Sequence, residues 1–214
     1  MAERIGVLGS GQVAQVLAAG FKKHGYEVKM GTREPAKLAD FAAQQRLSAG
    51  SLADAAAFGT VLVLAVHGTG AEDALKQARA ANLAGKVIID VTNPIAKELP
   101  VHGVLRFFTG PNDSLMERLQ KAFPAGRFVK AFNSVGSAFM IDPKLPGGPP
   151  TMFICGNDAA AKAEVTVILE TFGWAVEDMG MVEGARAIEP LCQLWCIPGL
   201  LHNRWNHAFR LLKA

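Results

Sequence analysis

A short glycine motif near the amino terminus is the first feature of this sequence that could do chemistry. Gly9, Gly11 and Ala14 form a Gly-x-Gly-x-x-Ala pattern, which follows an apolar run and opens a segment with helical spacing. Gly9 permits a tight turn, Gly11 lets the backbone approach a ligand, and Ala14 lets the helix pack against the strand. Free N–H groups in the first helical turn, at the positive end of the helix dipole, would hold a pyrophosphate. The motif therefore predicts a dinucleotide-binding site.

The end of the second predicted strand indicates which dinucleotide would bind. Enzymes that use NAD place Asp or Glu there, about 20 residues after the glycines, to hold the ribose hydroxyls. Here the position reads Thr32-Arg33, and Lys37 follows one turn into the next helix. A planar guanidinium, with a hydroxyl and an ammonium group nearby, suits the charge of a 2′-phosphate. The sequence therefore favours NADP(H) over NAD(H).

Strand and helix signals alternate along the chain and would position these residues. The strand-like runs are Arg4–Leu8, Tyr26–Met30, Thr60–Val66, Gly85–Val91, Arg127–Phe132, Thr151–Cys155 and Ala175–Asp178. The segments with helical spacing are Gln12–His24, a helix opening at Glu34-Pro35, Ser51–Phe58, Ala71–Ala81, Asp113–Phe123 and Ala159–Phe172. This alternation predicts βαβ units in an α/β fold. Right-handed crossovers then give a doubly wound, Rossmann-type, mostly parallel sheet with a small C-terminal helical extension.

A loop rich in proline and glycine, residues 142–150, divides the chain. We expect residues 1–141 to form the nucleotide-binding domain. Residues 151–214 are expected to form a smaller extension of strands and helices, packed on the same sheet.

The tail, Gly184–Lys213, is predicted to be helix in two pieces, divided near Pro198-Gly199. Arg186 and Glu189 lie three residues apart, so we expect them to form an ion pair on one helix face. Apolar side chains recur at helical spacing in the same segment: Ile188, Leu191, Leu194 and Trp195. This stripe either packs on the sheet or forms the face of a homodimer, and we expect a homodimer through these helices.

Composition excludes several classes of protein. The chain has 214 residues, 50% of them apolar and 19% charged, with a net charge of +3. It is too apolar for a disordered chain and has no Lys/Arg block that would indicate nucleic acid. Its longest apolar run, Val61–Val66, is far shorter than the roughly 20 residues of a membrane helix, and no signal peptide is evident at the start. We therefore expect a cytoplasmic protein without a membrane partner.

The cysteines and histidines do not indicate a metal site. Cys155 stands alone, and Cys192 and Cys196 are four residues apart. No spacing typical of zinc ligands is present. We expect the thiols to be reduced, as is usual in the cytosol.

Four segments resemble one family of oxidoreductases. Ile5–Arg33 resembles the NADPH-dependent coenzyme F420 reductases and the oxidoreductase domain of the STEAP metalloreductases. Asp90–Pro94 (DVTNP), Val129–Ser134 (VKAFNS) and Gly180–Leu191 (GMVEGARAIEPL) are similar to a turn, a strand end and a helix start of the same family. The last two segments are much more specific than the glycine motif, which all Rossmann proteins share.

The resemblance implies a cofactor site distributed over several loops. Around the pyrophosphate it places Gly9, Ser10, Gly11, Gln12 and Val13; around the 2′-phosphate, Thr32, Arg33 and Lys37; and near the ribose and nicotinamide, Ala65, Val66, Asn93 and Asn133. One departure is His67-Gly68, which stands where many relatives carry Pro and an aromatic residue.

The same loops predict how the reaction proceeds. Ala65–His67, Thr92–Pro94 and Asn133-Ser134 each follow a strand, so we expect them to surround one crevice at the carboxyl edge of the sheet. Hydride transfer between a nicotinamide and a flavin-like ring needs no covalent nucleophile, because the protein only aligns the rings and excludes water. His67 is the one titratable side chain expected near the crevice. It either donates a hydrogen bond or a proton to the acceptor, or is a loop histidine without a role.

The expected function is that of an NADP(H)-dependent oxidoreductase, with a small-molecule redox substrate: the deazaflavin F420, or FMN or FAD. An imine or β-hydroxyacid reductase is one alternative, although such enzymes need a long helical domain after the sheet. A redox sensor that binds NADP(H) without turnover is another.

Overall fold

Six parallel strands form the centre of the molecule, which a computed structural model describes over residues 3–213. They are Arg4–Leu8 (β1), Glu27–Gly31 (β2), Ser48–Gly50 (β3), Val61–Leu64 (β4), Val87–Asp90 (β5) and Arg127–Lys130 (β6). Their order is β3-β2-β1-β4-β5-β6, with every pair parallel. The order reverses between β1 and β4, which is where ligands bind in open α/β sheets. The doubly wound sheet is confirmed; β3, a three-residue edge strand, was not predicted.

Helices cover both faces of this sheet. They are Gln12–Lys23 (α1), Ala39–Gln45 (α2), Leu52–Phe58 (α3), Ala71–Ala78 (α4), Ala80–Leu83 (α5) and Leu115–Ala122 (α6). The strand β4 shows why both faces need a cover. Val61 and Val63 lie in one hydrophobic cluster and Leu62 and Leu64 in the other, because successive side chains point to opposite faces. The single helix predicted over Ala71–Ala81 is divided, because Arg79 has φ +71°.

The C-terminal extension has a small sheet of its own. Thr151–Ile154 (β7) and Ala175–Asp178 (β8) pair in parallel around the helix Ala159–Thr171 (α7), and form a separate two-stranded sheet. A single antiparallel bridge, Lys130 to Cys155, joins it to β6. Strand pairing between β6 and the small sheet ends at this bridge, because Phe132, with φ +61°, turns the chain out of the strand direction. The helix α7 shares the core beside α1, while β7 and β8 pair only with each other as strands. The division of the chain into two domains stays a prediction.

The tail differs from its prediction. Ala185–His202 (α8) is one helix that continues through Pro190 and Pro198, and Asn203 ends it with φ +52°. The following residues are not helical as far as Lys213. The backbone N–H of Thr151 donates to the carbonyl of Phe209 at 2.9 Å. The tail therefore satisfies the hydrogen-bonding groups of an exposed strand edge, which a second helix could not reach.

The apolar stripe of α8 is divided between two environments. Ile188 and Trp195 are buried, whereas Leu194 and, further along, Leu200 and Leu201 are exposed. The homodimer expected through this helix stays a prediction. Over residues 3–213, no helix has the length and apolar character needed to cross a bilayer.

Candidate active site

The glycine turn after β1 leaves the first turn of α1 open to a ligand. Gly9 has φ +142°, and a Cβ atom there would lie 2.2 Å from the carbonyl oxygen of Ala65. Glycine is therefore required for both the conformation and the contact. A Cβ atom on Gly11 would meet no atom within 4 Å, so this backbone faces open space. Because α1 has neither a side-chain cap nor an acidic residue in its first turn, its N–H groups are available to an anion.

A cleft of about 640 Å³ opens beside this turn. It lies at the carboxyl ends of β1, β2 and β4 and is lined by Gly9, Ser10, Gly11, Thr32, Arg33, Lys37, Ala65, Val66 and His67 of the predicted set. Seven other lining residues were not predicted from the sequence: Glu34, Leu52, Thr69, Gly70, Asp73, Ala74 and Gln77. Residues of these types are common on helix and loop surfaces, so no sequence signal separates them from solvent-facing ones.

The cations at the tip of β2 differ in their partners. Lys37 Nζ lies 2.9 Å from the Glu34 carboxylate, and its hydrogen bond and charge hold the pKa of Glu34 below the ordinary value. Arg33 is exposed and forms no ion pair within residues 3–213. Thr32 Oγ1 donates to Ser10 Oγ at 3.3 Å, which links the strand tip to the glycine turn. Arg33 therefore presents a guanidinium without an ion-pair partner among the described residues at the rim of the cleft, although its charge also helps to lower the pKa of Glu34.

A second cavity, of about 350 Å³, adjoins the cleft. Gly11, Ala65, Val66 and His67 line both spaces. The remaining predicted residues, Gln12, Val13, Asn93 and Asn133, line the second cavity. The fold thus brings every predicted cofactor residue to one of two connected spaces. Their contact with a cofactor stays a prediction.

The helix α8 forms a wall of the second cavity that the sequence analysis did not foresee. Cys192, Trp195 and Cys196 all line it. Their helical spacing indicates a common face, but nothing in the sequence says that this face turns toward the crevice. The expectation that His67 would be the one titratable side chain there was wrong, because two thiols share the cavity. Within the described residues, no cluster of three or more His, Cys, Asp or Glu side chains could hold a metal ion.

Asn133 is fixed in place and still has a free acceptor. Its side-chain Nδ2 donates to Asn93 Oδ1 at 3.1 Å and to the carbonyl of Ile188 at 2.9 Å. In return, Asn93 Nδ2 donates to the Asn133 carbonyl at 2.8 Å. Asn133 is only 4% exposed, and its Oδ1 has no hydrogen-bond partner within the described chain. A buried acceptor without a donor costs about 1–3 kcal/mol, so this atom suits a donor on a ligand.

Comparison with known proteins places this architecture in a family. The family model described as NADP oxidoreductase coenzyme F420-dependent matches residues 4–94. The crystal structure of a protein described as a candidate F420-dependent NADP-reductase from Arthrobacter sp. FB24 superposes with a TM-score of 0.92. The two chains are 32% identical, and the match covers 100% of each. The chain belongs to the coenzyme F420-dependent NADP oxidoreductase family.

Two further relatives of this chain are longer proteins. Metalloreductase STEAP3 of Rattus norvegicus is 32% identical over 205 residues, which are 94% of this chain and 39% of that protein. Metalloreductase STEAP2 of Homo sapiens is 29% identical over 87% of this chain and 35% of that protein. The chain thus spans about two fifths or less of the length of these metalloreductases. An imine reductase of Streptomyces aurantiacus, 18% identical with a TM-score of 0.68 over 93% of this chain and 63% of that one, shares the fold.

A buried ion network joins the family-specific segments of this oxidoreductase. Lys130, at the end of β6, is fully buried, and its Nζ lies 2.7 Å from Asp90 Oδ2 and 2.9 Å from Glu189 Oε1. It also donates to the carbonyl of Thr92 at 2.8 Å, which occupies all three ammonium donors. Burial acts to lower the pKa of Lys130, but the attraction of the two carboxylates outweighs it and raises the pKa. The group is therefore a permanent cation.

Glu189 extends the network to a helix start. Its Oε2 and Oε1 accept from the backbone N–H groups of Leu115 and Met116, each at 3.0 Å. The excess negative charge of two carboxylates around one ammonium thus faces the positive end of α6. The predicted ion pair between Arg186 and Glu189 was wrong. Arg186 instead forms an ion pair with Glu117 on α6, at 2.6 Å, whereas Glu189 accepts the hydrogen bonds at the start of the same helix.

The network generates a stability prediction. Lys130→Met would leave two carboxylates buried without their counter-ion, so we expect the free energy of unfolding to fall by about 3–5 kcal/mol. Lys76→Met, which removes an exposed pair with Glu72, should cost no more than about 1 kcal/mol. Urea denaturation of both variants and the parent protein at neutral pH measures the difference. Equal, small losses in the two variants would contradict the structural role of Lys130.

Proposed function

We propose that this chain binds NADP(H) and transfers hydride between the nicotinamide and a flavin-like acceptor, either the deazaflavin F420 or a flavin. The observation that carries the proposal is the unpaired Arg33 guanidinium at the rim of the cleft that the open turn of α1 also lines. One anionic group fits the helix start and a second fits the cation. This distribution suits a dinucleotide with an additional phosphate on its adenosine ribose.

The residues of the cleft would divide the binding of the cofactor. The N–H groups after Gly11 would hold the pyrophosphate. Arg33 would bind the 2′-phosphate through its planar donors, with Thr32 and Lys37 on either side. Since Lys37 already pairs with Glu34, its contribution is smaller than that of Arg33. The cleft therefore supplies affinity and the preference for NADP(H).

The second cavity would hold the reacting ring. The free Oδ1 of Asn133 can accept a hydrogen bond from a carboxamide or a ribose hydroxyl, and Asn93 fixes its orientation. When bound, NADPH supplies the hydride. The chain contributes an apolar wall that excludes water, including Val13, Phe132, Met140 and Trp195. Aligned rings in a dry cavity are what hydride transfer requires.

His67 is placed where it can serve the proton half of the reaction. Reduction of a flavin-like ring takes up a hydride and a proton, so a donor at the acceptor is useful. His67 lines both spaces, and its Nδ1 lies 3.0 Å from Thr69 Oγ1. Its Nε2 has no hydrogen-bond partner within residues 3–213. We therefore assign His67 the role of hydrogen-bond or proton donor to the acceptor.

The proposed activity is tested by mixing the protein with NADPH and, in turn, FMN, FAD, riboflavin and F420, while NADPH absorbance is followed. We expect oxidation with at least one acceptor, and much slower oxidation of NADH. Tight NADPH binding without turnover on every acceptor would favour the redox sensor. Turnover with a cyclic imine and with none of the four would favour the imine reductase.

Arg33→Asp tests the cofactor preference. Loss of the guanidinium and addition of a repulsive carboxylate should weaken NADPH binding by about 10- to 100-fold, with a much smaller effect on NADH. The dissociation constants can be measured by the change in nucleotide fluorescence on binding. Lys121→Asp, which makes the same change of charge on the exposed face of α6, is the matched control. An unchanged ratio of the two affinities in Arg33→Asp would remove the phosphate-binding role.

His67→Asn tests the proton donor. We expect kcat to fall by about 10²-fold, the lower end of the range for general acid catalysis, with little change in NADPH affinity. Thr69→Val removes only the hydroxyl beside Nδ1 and should have a smaller effect on kcat. If both variants keep the parent's kcat, His67 is a loop residue without a catalytic role.

A further inference from the structure

Two thiols lie side by side in the wall of the second cavity. Cys192 and Cys196 are four residues apart on α8, so their side chains lie on one helix face about one turn apart. Both line the same cavity as Asn93 and Asn133. Nothing in the proposed hydride transfer uses them.

The two thiols differ in access. Cys192 is 6% exposed, whereas Cys196 is partly exposed and thus reachable through the cavity. The two thiols also influence each other's titration. Their interaction and burial raise the pKa of Cys192, and the same interaction lowers the pKa of Cys196 despite its burial. A protonated thiol one helical turn from a reachable sulfur is an arrangement that stabilises a thiolate.

The third cysteine shows the contrasting environment. Cys155 is fully buried and lies 3.7 Å from the sulfur of Met116. Burial raises the pKa of its thiol to about 12. It therefore provides an unreactive thiol in the same chain.

We propose that Cys196 is a thiol-modification site that closes the acceptor cavity. The substrate class is a small disulfide that can enter the cavity from solvent. In a cavity of about 350 Å³, a group attached to Cys196 occupies the space that the acceptor ring needs. The pair then makes hydride transfer sensitive to the thiol–disulfide state of its surroundings. This consequence rests on the proposed function, whereas the thiol chemistry does not.

The modification is a thiol–disulfide exchange. The thiolate sulfur of Cys196 attacks one sulfur of the disulfide, a new S–S bond forms, and the original S–S bond breaks. The departing thiolate takes the electron pair and is reduced, the cysteine sulfur is oxidised, and the thiol proton of Cys196 passes to solvent. Cys192, whose pKa is raised, keeps its proton. A small thiol in excess reverses the reaction.

Dithionitrobenzoate, an aromatic disulfide that releases a coloured thiolate, tests the site without any cofactor. We expect the folded protein to release one equivalent in a fast phase. Cys196→Ser should lose this phase, and Cys155→Ala should keep it. Cys192→Ala should slow it severalfold, because the neighbouring thiol that lowers the pKa of Cys196 is lost. A fast phase that survives in Cys196→Ser, or an unmodified parent protein under native conditions, would overturn the proposal.

The link to hydride transfer is measured separately. We expect the modified protein to lose acceptor-dependent NADPH oxidation, and dithiothreitol to restore it. Modified protein with undiminished turnover would overturn the closing of the cavity. Saturating NADP⁺ should slow the modification of Cys196 if the nicotinamide lies in this cavity. Rapid modification that NADP⁺ does not slow would keep the thiol site and overturn the proposed cofactor placement, so the two proposals can fail independently.

Discussion

One buried ammonium group, that of Lys130, determines how the carboxyl edge of the sheet is arranged. An isolated cation in the protein interior costs several kcal/mol, so its neighbours must supply opposite charge and acceptors in a fixed geometry. Asp90 and Thr92 do so from one part of the chain and Glu189 from another, both distant in sequence from Lys130. The loops that carry Asn93 and Asn133 begin directly after these anchors, and the two amides then bond to each other. The positions of these two asparagines in the wall of the second cavity therefore depend on the ion network around Lys130.

The two spaces of the site have different electrostatic characters. The cleft is open and polar, with a free helix start at one end and a guanidinium at its rim. The second cavity is mostly apolar, and its cationic neighbour, Lys130, is fully neutralised behind the wall. Under the proposed function, charge would select the cofactor in one space, while exclusion of water would favour the chemistry in the other. A bound dinucleotide would span both, because Gly11, Ala65 and Val66 border each of them.

The sequence predicts the parts of this fold that depend on local pattern. The glycine turn, the wholly apolar β4 and the alternation of strands and helices follow from periodicity and from the small size of glycine. Partners across the fold are harder to predict. Arg186 and Glu189 have ideal helical spacing for each other, yet each binds a residue that is distant in sequence. The tail carries helix-forming residues, but its backbone groups are needed at the edge of β7. The cavity-lining face of α8 depends on how the helix docks, which no local pattern encodes.

The distance along the chain between the members of the charge network also affects how the protein folds. Lys130 is synthesised well before Glu189, so a nascent chain holds the six strands while this cation lacks one of its counter-ions. Closing that long loop has an entropic cost, which the packing of β7, α7 and α8 must offset. A chain interrupted before Glu189 would therefore hold this ammonium group beside a single carboxylate.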